Sequence, residues 1–346
     1  VVNYVPVGII NISSINNGGV LIGNEVHWTI YDFDMNEEMM FTFSGELTKV
    51  ISLCDAYLNR AEVFSSSSND DDSTPGNIME ASEDDDDALE IGIAPTQCIS
   101  VDARVFLEGA FVRSEDRMHN VLYQNGYLPG QAPQTFFGNK EEAGQPYDSE
   151  PWYHCGEEGD PFDANNEGVD DLAGYPDNTV DWVLVSLRSE ASPQSVVCRK
   201  SALVLDDGEI FFVEEFDCCG IDDDIEYYMV IEHRNHLPIM SPTKMPIENG
   251  KVAFDFTTSN SFVALLGTGQ KEVNPGRWVM IAGNGEQSDF IESGDINVND
   301  LSRWSSEEGD NSGYYFTDFD LNGDVNVQDK GLVLRNFGVF SDVMNR

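Results

Sequence analysis

Basic residues are scarce in this chain: 18 Lys and Arg stand against 63 Asp and Glu over 346 residues, a formal net charge of -45. Nucleic acid and anionic membrane surfaces are polyanions, so both are excluded as partners on charge alone. Such self-repulsion has to be offset by bound cations or salt, which suits an extracellular, calcium-bearing or saline setting. No run of eighteen apolar residues occurs, so no segment reads as a membrane-spanning helix. The chemistry-bearing motifs are missing as well. There is no HExxH, no GxSxG elbow and no P-loop, and Gly267-Thr268-Gly269 is followed by Gln270 and Lys271, without the third glycine of a dinucleotide fingerprint. With 63 acids some close carboxylate pair is inevitable, so a glycosidase pair cannot be inferred. We therefore expect no enzyme.

The six cysteines (Cys54, Cys98, Cys155, Cys198, Cys218 and Cys219) include no CxxC spacing, which argues against a zinc ribbon or a thioredoxin-type motif. Their even number fits disulfides in an exported protein. Cys54 with Cys98 is the first pairing to test, adjacent Cys218 and Cys219 are expected to serve different partners, and free buried thiols are the alternative. A chain beginning at Val1 without an initiator Met is expected to be a processed product. His233 and His236 tempt a metal reading, but residues three apart on one strand face opposite sides, so satisfied polar residues at a strand end are expected.

What is present is a short pattern that occurs twice near the carboxyl end. Asp318-Phe319-Asp320-Leu321-Asn322-Gly323-Asp324-Val325-Asn326-Val327-Gln328-Asp329 places oxygen-bearing side chains at positions 1, 3, 5, 7, 9 and 12 of a twelve-residue loop, with glycine at 6. A hard cation such as Ca2+ needs six to eight converging oxygens, so the chain must curl around it. Gly323 permits the turn, the Asp324 carbonyl can ligate at position 7, and Val325 can point back into a core. Upstream, the stretch from Asp289 to Asp300 repeats the frame with Asp289, Ser293, Asp295, Asn297 and Asp300, but Ile291 at position 3 cannot ligate. A strong second site and a weaker or rearranged first one are expected.

The doubled loop resembles the dockerin type I repeat, a paired calcium-loop and helix module of extracellular proteins. Leu301 with Trp304, and Val333 with Phe337, have the spacing of one helical face after each loop. Dockerins recognise cohesins through loop positions 10 and 11. Here those are Val298-Asn299 and Val327-Gln328, so the resemblance implies calcium and not cohesin binding.

The rest of the chain reads as strands. Val1 to Ile12 is apolar and β-branched, and is either a first strand of its own sheet or a strand donated to a neighbouring subunit. Asn16-Asn17-Gly18-Gly19 is a turn, Val20 to Asp32 and Met39 to Leu47 read as strands, and Thr48 to Glu62 is helix or strand. Residues 64–88, with their Ser and Asp runs, read as a solvated acidic loop with a weak calcium site as the alternative. The stretch 163–171 is a candidate third calcium site. Asp181 to Leu187 and Tyr227 to Ile231 read as strands buried on both faces, with Trp152 and Trp182 as core anchors or, alternatively, sugar-stacking platforms.

The phrases Val105-Phe106-Leu107-Glu108-Gly109-Ala110-Phe111, Gly126-Tyr127-Leu128-Pro129, Asp181 to Arg188, and Tyr227 to Pro238 with its Glu232-His233-Arg234-Asn235-His236 run continue into Trp278 to Gly283 and the repeats. Together they resemble a carboxyl-terminal module of secreted, adhesin- or haemagglutinin-like surface proteins of Bacteroidota, over roughly residues 100 to 346. The expectation is a mainly β chain with one or two Ig-like sandwiches and a small helical calcium module. Its boundaries are set at 1–98, 99–270 and 271–346. The expected role is structural or adhesive at the cell surface. Self-assembly into a homo-oligomer, filament or layer, or contact with surface glycans or other surface proteins, is the mode expected. A carbohydrate- or surface-binding module of a larger secreted protein is the alternative.

Overall fold

The computed structural model describes residues 1–6, 8–31, 38–47, 58–66, 76, 86–90, 98–131, 144–148, 151–154, 156, 158–159, 162, 174–213, 218–219, 221–222, 224–285 and 293–344, with backbone alone at 86–90, 98, 218–219, 293 and 344. The protein is mainly β, and its chain divides into two compact units, Val1–Ala94 and Pro95–Arg346. Among the described residues no helix is long and apolar enough to cross a membrane.

In the first unit the apolar amino-terminal run is broken at Pro6 into β1 (Val2–Tyr4) and β2 (Ile9–Ser13), which join different sheets. The expected single strand from Val20 is two: β3 (Val20–Ile22) and β4 (Glu25–His27) form a hairpin, because Gly23 takes a positive φ that reverses the chain. The strand expected from Met39 to Leu47 is confined to β5 (Ser44–Leu47), which pairs with β2. Of the helix-or-strand segment, residues 48–57 lie outside the described residues, and the rest is β6 (Leu58–Glu62), which pairs with β7 (Asp86–Glu90). The five-stranded sheet runs β3-β4-β1-β6-β7. Because β4 and β6 flank β1 on both sides, its ladder is already filled within the chain, and the donated-strand alternative does not hold. Val5, Val26 and Trp28 form the small core. Residues 67–75 and 77–85 of the acidic stretch, and the candidate site at 163–171, lie outside the described residues.

The second unit begins with β8 (Cys98–Arg104), β9 (Phe111–Val112), β10 (Arg117–Met118) and a short helix α1 (Val121–Asn125). Then come β11 (Thr179–Arg188), β12 (Val196–Leu205), β13 (Ile210–Phe211), β14 (Cys218–Cys219), β15 (Tyr228–His233), β16 (His236–Met240), β17 (Lys251–Asp255), β18 (Gln270–Asn274) and β19 (Arg277–Met280). β20 (Ser293–Asp295), α2 (Val298–Glu307), α3 (Val327–Arg335) and β21 (Phe340–Met344) complete the unit.

The expected buried strand is β11: every one of its residues is buried, and it lies at the centre of the antiparallel sheet β13-β12-β11-β15-β16. Its alternation of Trp182 and Leu184 with Val183 and Val185 supplies apolar surface to both faces, which is why it occupies the middle. β8 sits between β14 and the parallel β17, and contributes Ile99, Val101 and Ala103 to the same core as the large sheet. Trp152 and Trp182 are buried in that core, with Trp182 edge-on to Phe162, so neither offers a stacking platform to a sugar. The pairing expected for Cys54 and Cys98 involves side chains outside the described residues. On the backbone, Cys98 stands opposite Cys219.

Candidate metal centre and its anchor in the sheet core

Both loops lead into helices of the same design. Asn297 and Asn326, at position 9, cap α2 and α3: each side-chain oxygen accepts the N–H two residues on, at 2.6 and 2.8 Å. Asp300 and Asp329, at position 12, return a carboxylate oxygen to the cap's own N–H at 2.7 and 2.8 Å, closing a capping box. Ile296 and Val325, at position 8, are buried in one apolar cluster with Leu237, Trp304, Phe319 and Val333. Trp304 further donates to the Asn326 carbonyl at 3.0 Å and lies under Lys330, tying α2 to α3. Leu301 packs against the cluster. Phe337 lies past the end of α3 and is half exposed, so the apolar face expected there extends only through Val333.

In the second loop one carboxylate oxygen from each of Asp318, Asp320 and Asp329 lies within 4.8 Å of the others. Asp318 and Asp329 are fully buried. Asp318 accepts Asn322 N–H at 3.0 Å and Gly323 N–H at 2.9 Å. Asp329 accepts Phe319 N–H at 2.7 Å and Asp320 N–H at 3.1 Å. One oxygen of Asp320 is buried with no hydrogen-bond partner. Burial, first, and the neighbouring carboxylates push Asp318 well above the usual range; burial and Asp329 push Asp320 up to about 7. Burial raises Asp329 too. Three carboxylates held together against such a penalty make a donor set that a divalent cation would complete. At the remaining positions Asn322 Oδ1 accepts Asp324 N–H at 2.8 Å, Asp324 Oδ1 accepts Ser312 N–H at 3.0 Å, and the Asp324 carbonyl accepts Asn326 Nδ2 at 3.5 Å.

The structure describes the first loop from Ser293 onward and from 285 backward. Asp289 lies outside the described residues, as does the Ser293 side chain. Asp295 sits in β20, paired with Phe340 of β21, and Asn297 and Asp300 form the capping box.

Sequence reasoning did not find what fastens the second loop. Gly109 lies so close to it that a Cβ there would fall 1.8 Å from the Phe319 carbonyl oxygen, and the Tyr127 ring packs on Gly323, whose φ is +89°. His233 and His236 are satisfied polar residues at strand ends, as expected, but they do not face opposite sides. The chain reverses at Arg234-Asn235, pairing His233 with His236 across the hairpin, so the two rings share one side at 4.6 Å. Asn235 Nδ2 donates to the Asp318 carbonyl at 2.7 Å. Arg234 donates through Nε to Asp181 Oδ2 at 3.1 Å, with Nη2 3.0 Å from the same oxygen, donates to the Tyr315 carbonyl, and stacks 4.0 Å from the Tyr314 ring centroid.

Asp181 also accepts from the Tyr314 hydroxyl and from His233 Nε2 at 3.2 Å. Burial alone would raise its carboxyl, but Arg234, His233 and Tyr314 outweigh burial and hold it below the usual range. The network fixes the imidazole protons. With Nε2–H given to Asp181, His233 Nδ1 accepts from Asn235 N–H at 3.3 Å and faces His236 Nδ1 at 3.0 Å, while His236 Nε2 accepts Gly109 N–H at 3.4 Å. Both imidazoles are held neutral: burial lowers His233, and burial together with His233, Arg234 and Lys271 lowers His236 well below its usual value. A signal was present in the sequence, since His, Arg and Asn between two strand-like runs have to be satisfied somewhere. The partner lies dozens of residues away.

No family model matches the chain, and no curated protein does. Among solved structures it is similar to two interface mutants of a type II cohesin–X-dockerin complex from Acetivibrio cellulolyticus. The first is 19% identical with a TM-score of 0.28, covering 46% of this chain and 82% of the matched one. The second is 18% identical with a TM-score of 0.26, covering 45% and 82%. Likeness at this level establishes neither a shared fold nor a shared function.

Proposed function

We propose that the second unit is a calcium-braced structural module of a secreted surface protein, in which Asp318, Asp320 and Asp329 hold Ca2+ with the Asp324 carbonyl. The observation that carries this is the buried carboxylate cluster with an unpartnered Asp320 oxygen, in a chain whose net charge demands cations. This reading assigns the site a structural role and no reaction. A bound ion would hold the loop closed, and Arg234 and Asn235 would pass that rigidity to the central sheet. In this reading the two sheets sharing a core form an Ig-like sandwich, disulfides add cross-links, and the repeats act as an integral brace. Its dockerin-like and Bacteroidota adhesin-like phrases, and the acidic composition, support an extracellular or cell-surface setting. Adhesion to surface glycans or proteins, and assembly of copies into a filament or layer, are the roles such a brace would serve. The carbohydrate-module alternative is weakened by the burial of Trp152 and Trp182.

Calcium removal tests the proposal. Binding to the native state alone stabilises by about 2.7 kcal/mol at a hundredfold excess over Kd, roughly 2–4 °C per kcal/mol for a unit of this size. Chelation is therefore expected to lower Tm by several degrees and open the carboxyl-terminal repeats to protease. Unchanged melting in chelator sinks the calcium reading.

A further inference from the structure

We infer that Lys271 and Asn336 become joined by an isopeptide bond that the protein forms on itself, with Glu108 as the acid–base group. The inference stands on its own geometry and is independent of the calcium reading. Three residues far apart in the chain meet here. Glu108 lies between β8 and β9, Lys271 is in β18, and Asn336 is the residue on which α3 ends. Lys271 Nζ donates to Asn336 Oδ1 at 2.7 Å and pairs with Glu108 Oε1. Glu108 Oε2 accepts Asn336 Nδ2 at 2.7 Å, so one carboxylate touches both the amine and the carboxamide nitrogen.

The amide of Asn336 is oriented from both ends. Its Nδ2 also donates to the Ala282 carbonyl at 2.7 Å, so turning the group over would set Nδ2 against the Lys271 amine and Oδ1 against two acceptors. Glu108 Oε2 is held in turn by Ala282 N–H at 3.1 Å, and Arg335 lies 3.6 Å from Oε1. The Glu108 side chain is 6% exposed and Asn336 is 4% exposed, while Lys271 keeps an edge to solvent. Resting on Oδ1, the amine is one C=O bond from Cγ, the carbon it has to reach.

The step is a transamidation. Lys271 passes a proton to Glu108 Oε1, and the neutral amine attacks Asn336 Cγ. As the bond from Nζ to Cγ forms, the bond from Cγ to Nδ2 breaks. Nζ gives up two protons in all, and Nδ2 leaves with both as ammonium, through the solvent edge beside Lys271. Glu108 carries the protons and ends as the carboxylate it began, so nothing is oxidised or reduced and no co-reactant is consumed. A carboxamide is a poor electrophile in water, but holding the nucleophile on it makes the attack intramolecular, and a placed carboxylate supplies the proton transfers. The bond ties β18 to the end of α3 across 65 residues of chain that include both repeats. Like a disulfide, it restricts the unfolded state.

Mass spectrometry of the reduced, full-length chain reads the bond. The wild type is expected to weigh less than its sequence by one ammonia, and a tryptic digest to contain residues 336–346 joined through Lys271 to residues 252–277. Lys271→Arg, Asn336→Ala and Glu108→Gln are each expected at their full sequence mass. The full sequence mass in the wild type, with 336–346 released as a separate peptide and cleavage after Lys271, overturns the inference. An ammonia loss confined to 336–346 overturns it as well, because it marks closure of Asn336 on its own backbone. A cross-link that survives Glu108→Gln rejects Glu108 as the acid–base group. Circular dichroism establishes that each variant is folded before its mass is read, and if one is not, the wild-type digest decides the bond alone.

Discussion

The two loops share a capping box and a buried aliphatic at position 8, yet they are fastened to the rest of the unit by different forces. The second hangs on buried charge: Arg234 stands between Asp181 of β11 and the Asp318 loop, under the Tyr314 ring. The first hangs on backbone, with Ile296 N–H donating to the Val339 carbonyl and Gly338 N–H to the Ile296 carbonyl, both at 2.8 Å, and β20 laddered on β21. A backbone anchor works at any ionic condition. An anchor of buried charges is stable only while every charge has its partner, which makes the second loop the sensitive one.

That contrast can be broken at its strongest point by Arg234→Ala. Removing the guanidinium strands the buried Asp181 carboxylate and releases the Tyr315 carbonyl, so a loss of about 3–5 kcal/mol is expected, read as a fall in the urea midpoint. A loss below about 1 kcal/mol, as for a surface pair, would show that the second loop does not depend on this anchor. Gly323→Ala sharpens the comparison at the loop itself. A left-handed φ costs a residue with a Cβ roughly 1–2 kcal/mol, and that Cβ would meet the Tyr127 ring at 2.3 Å. The variant should melt earlier and bind calcium less tightly, and a wild-type melting curve would count against this placement of Tyr127.

The third prediction concerns pH. His233 and His236 face Asp181, Arg234, Tyr314 and Lys271, and their folded-state affinity for protons is depressed. Below their usual value of about 6.5 the unfolded chain takes up protons that the folded chain refuses. This contribution is therefore complete above that pH and is lost as pH falls beneath it, by roughly 1.4 kcal/mol per pH unit for each imidazole. The wild-type denaturant midpoint measured relative to His236→Asn, a difference in which the opposite-signed proton uptake of Asp318, Asp320 and Asp329 cancels, should fall between pH 7.5 and 5.5. His236→Asn, which removes one titrating ring, should flatten the slope.

Much of the secondary structure was legible. Asp181 to Leu187 reads as a doubly buried strand because β-branched and aromatic residues follow one another without a turn former, and β11 contains it with two residues more at its start and one at its end. The position-8 Val325 was readable as core from the loop frame alone, and its counterpart Ile296 shares the same cluster. What misled was local pattern without context. Val20 to Asp32 looked continuous until Gly23 turned it. His233 and His236 were judged as if on one strand, because no short-range pattern announces a two-residue reversal at Arg234-Asn235.

By itself, the sequence determined the charge that calls for cations, the spacing of Asp318, Asp320 and Asp329, the Asn caps of α2 and α3, and the apolar runs that become central strands. These are local matters of period, turn chemistry and ligand spacing. The tertiary structure alone decided which polar groups meet: Arg234 with Asp181, Asn235 with Asp318, Gly109 and Tyr127 with the second loop. Such pairings join residues far apart in the chain, and a buried polar group is tolerated only where its partner arrives. The doubled loop was visible as a repeat, but its inequality, one copy anchored by buried charge and the other by backbone, became visible only when the chain was folded around it.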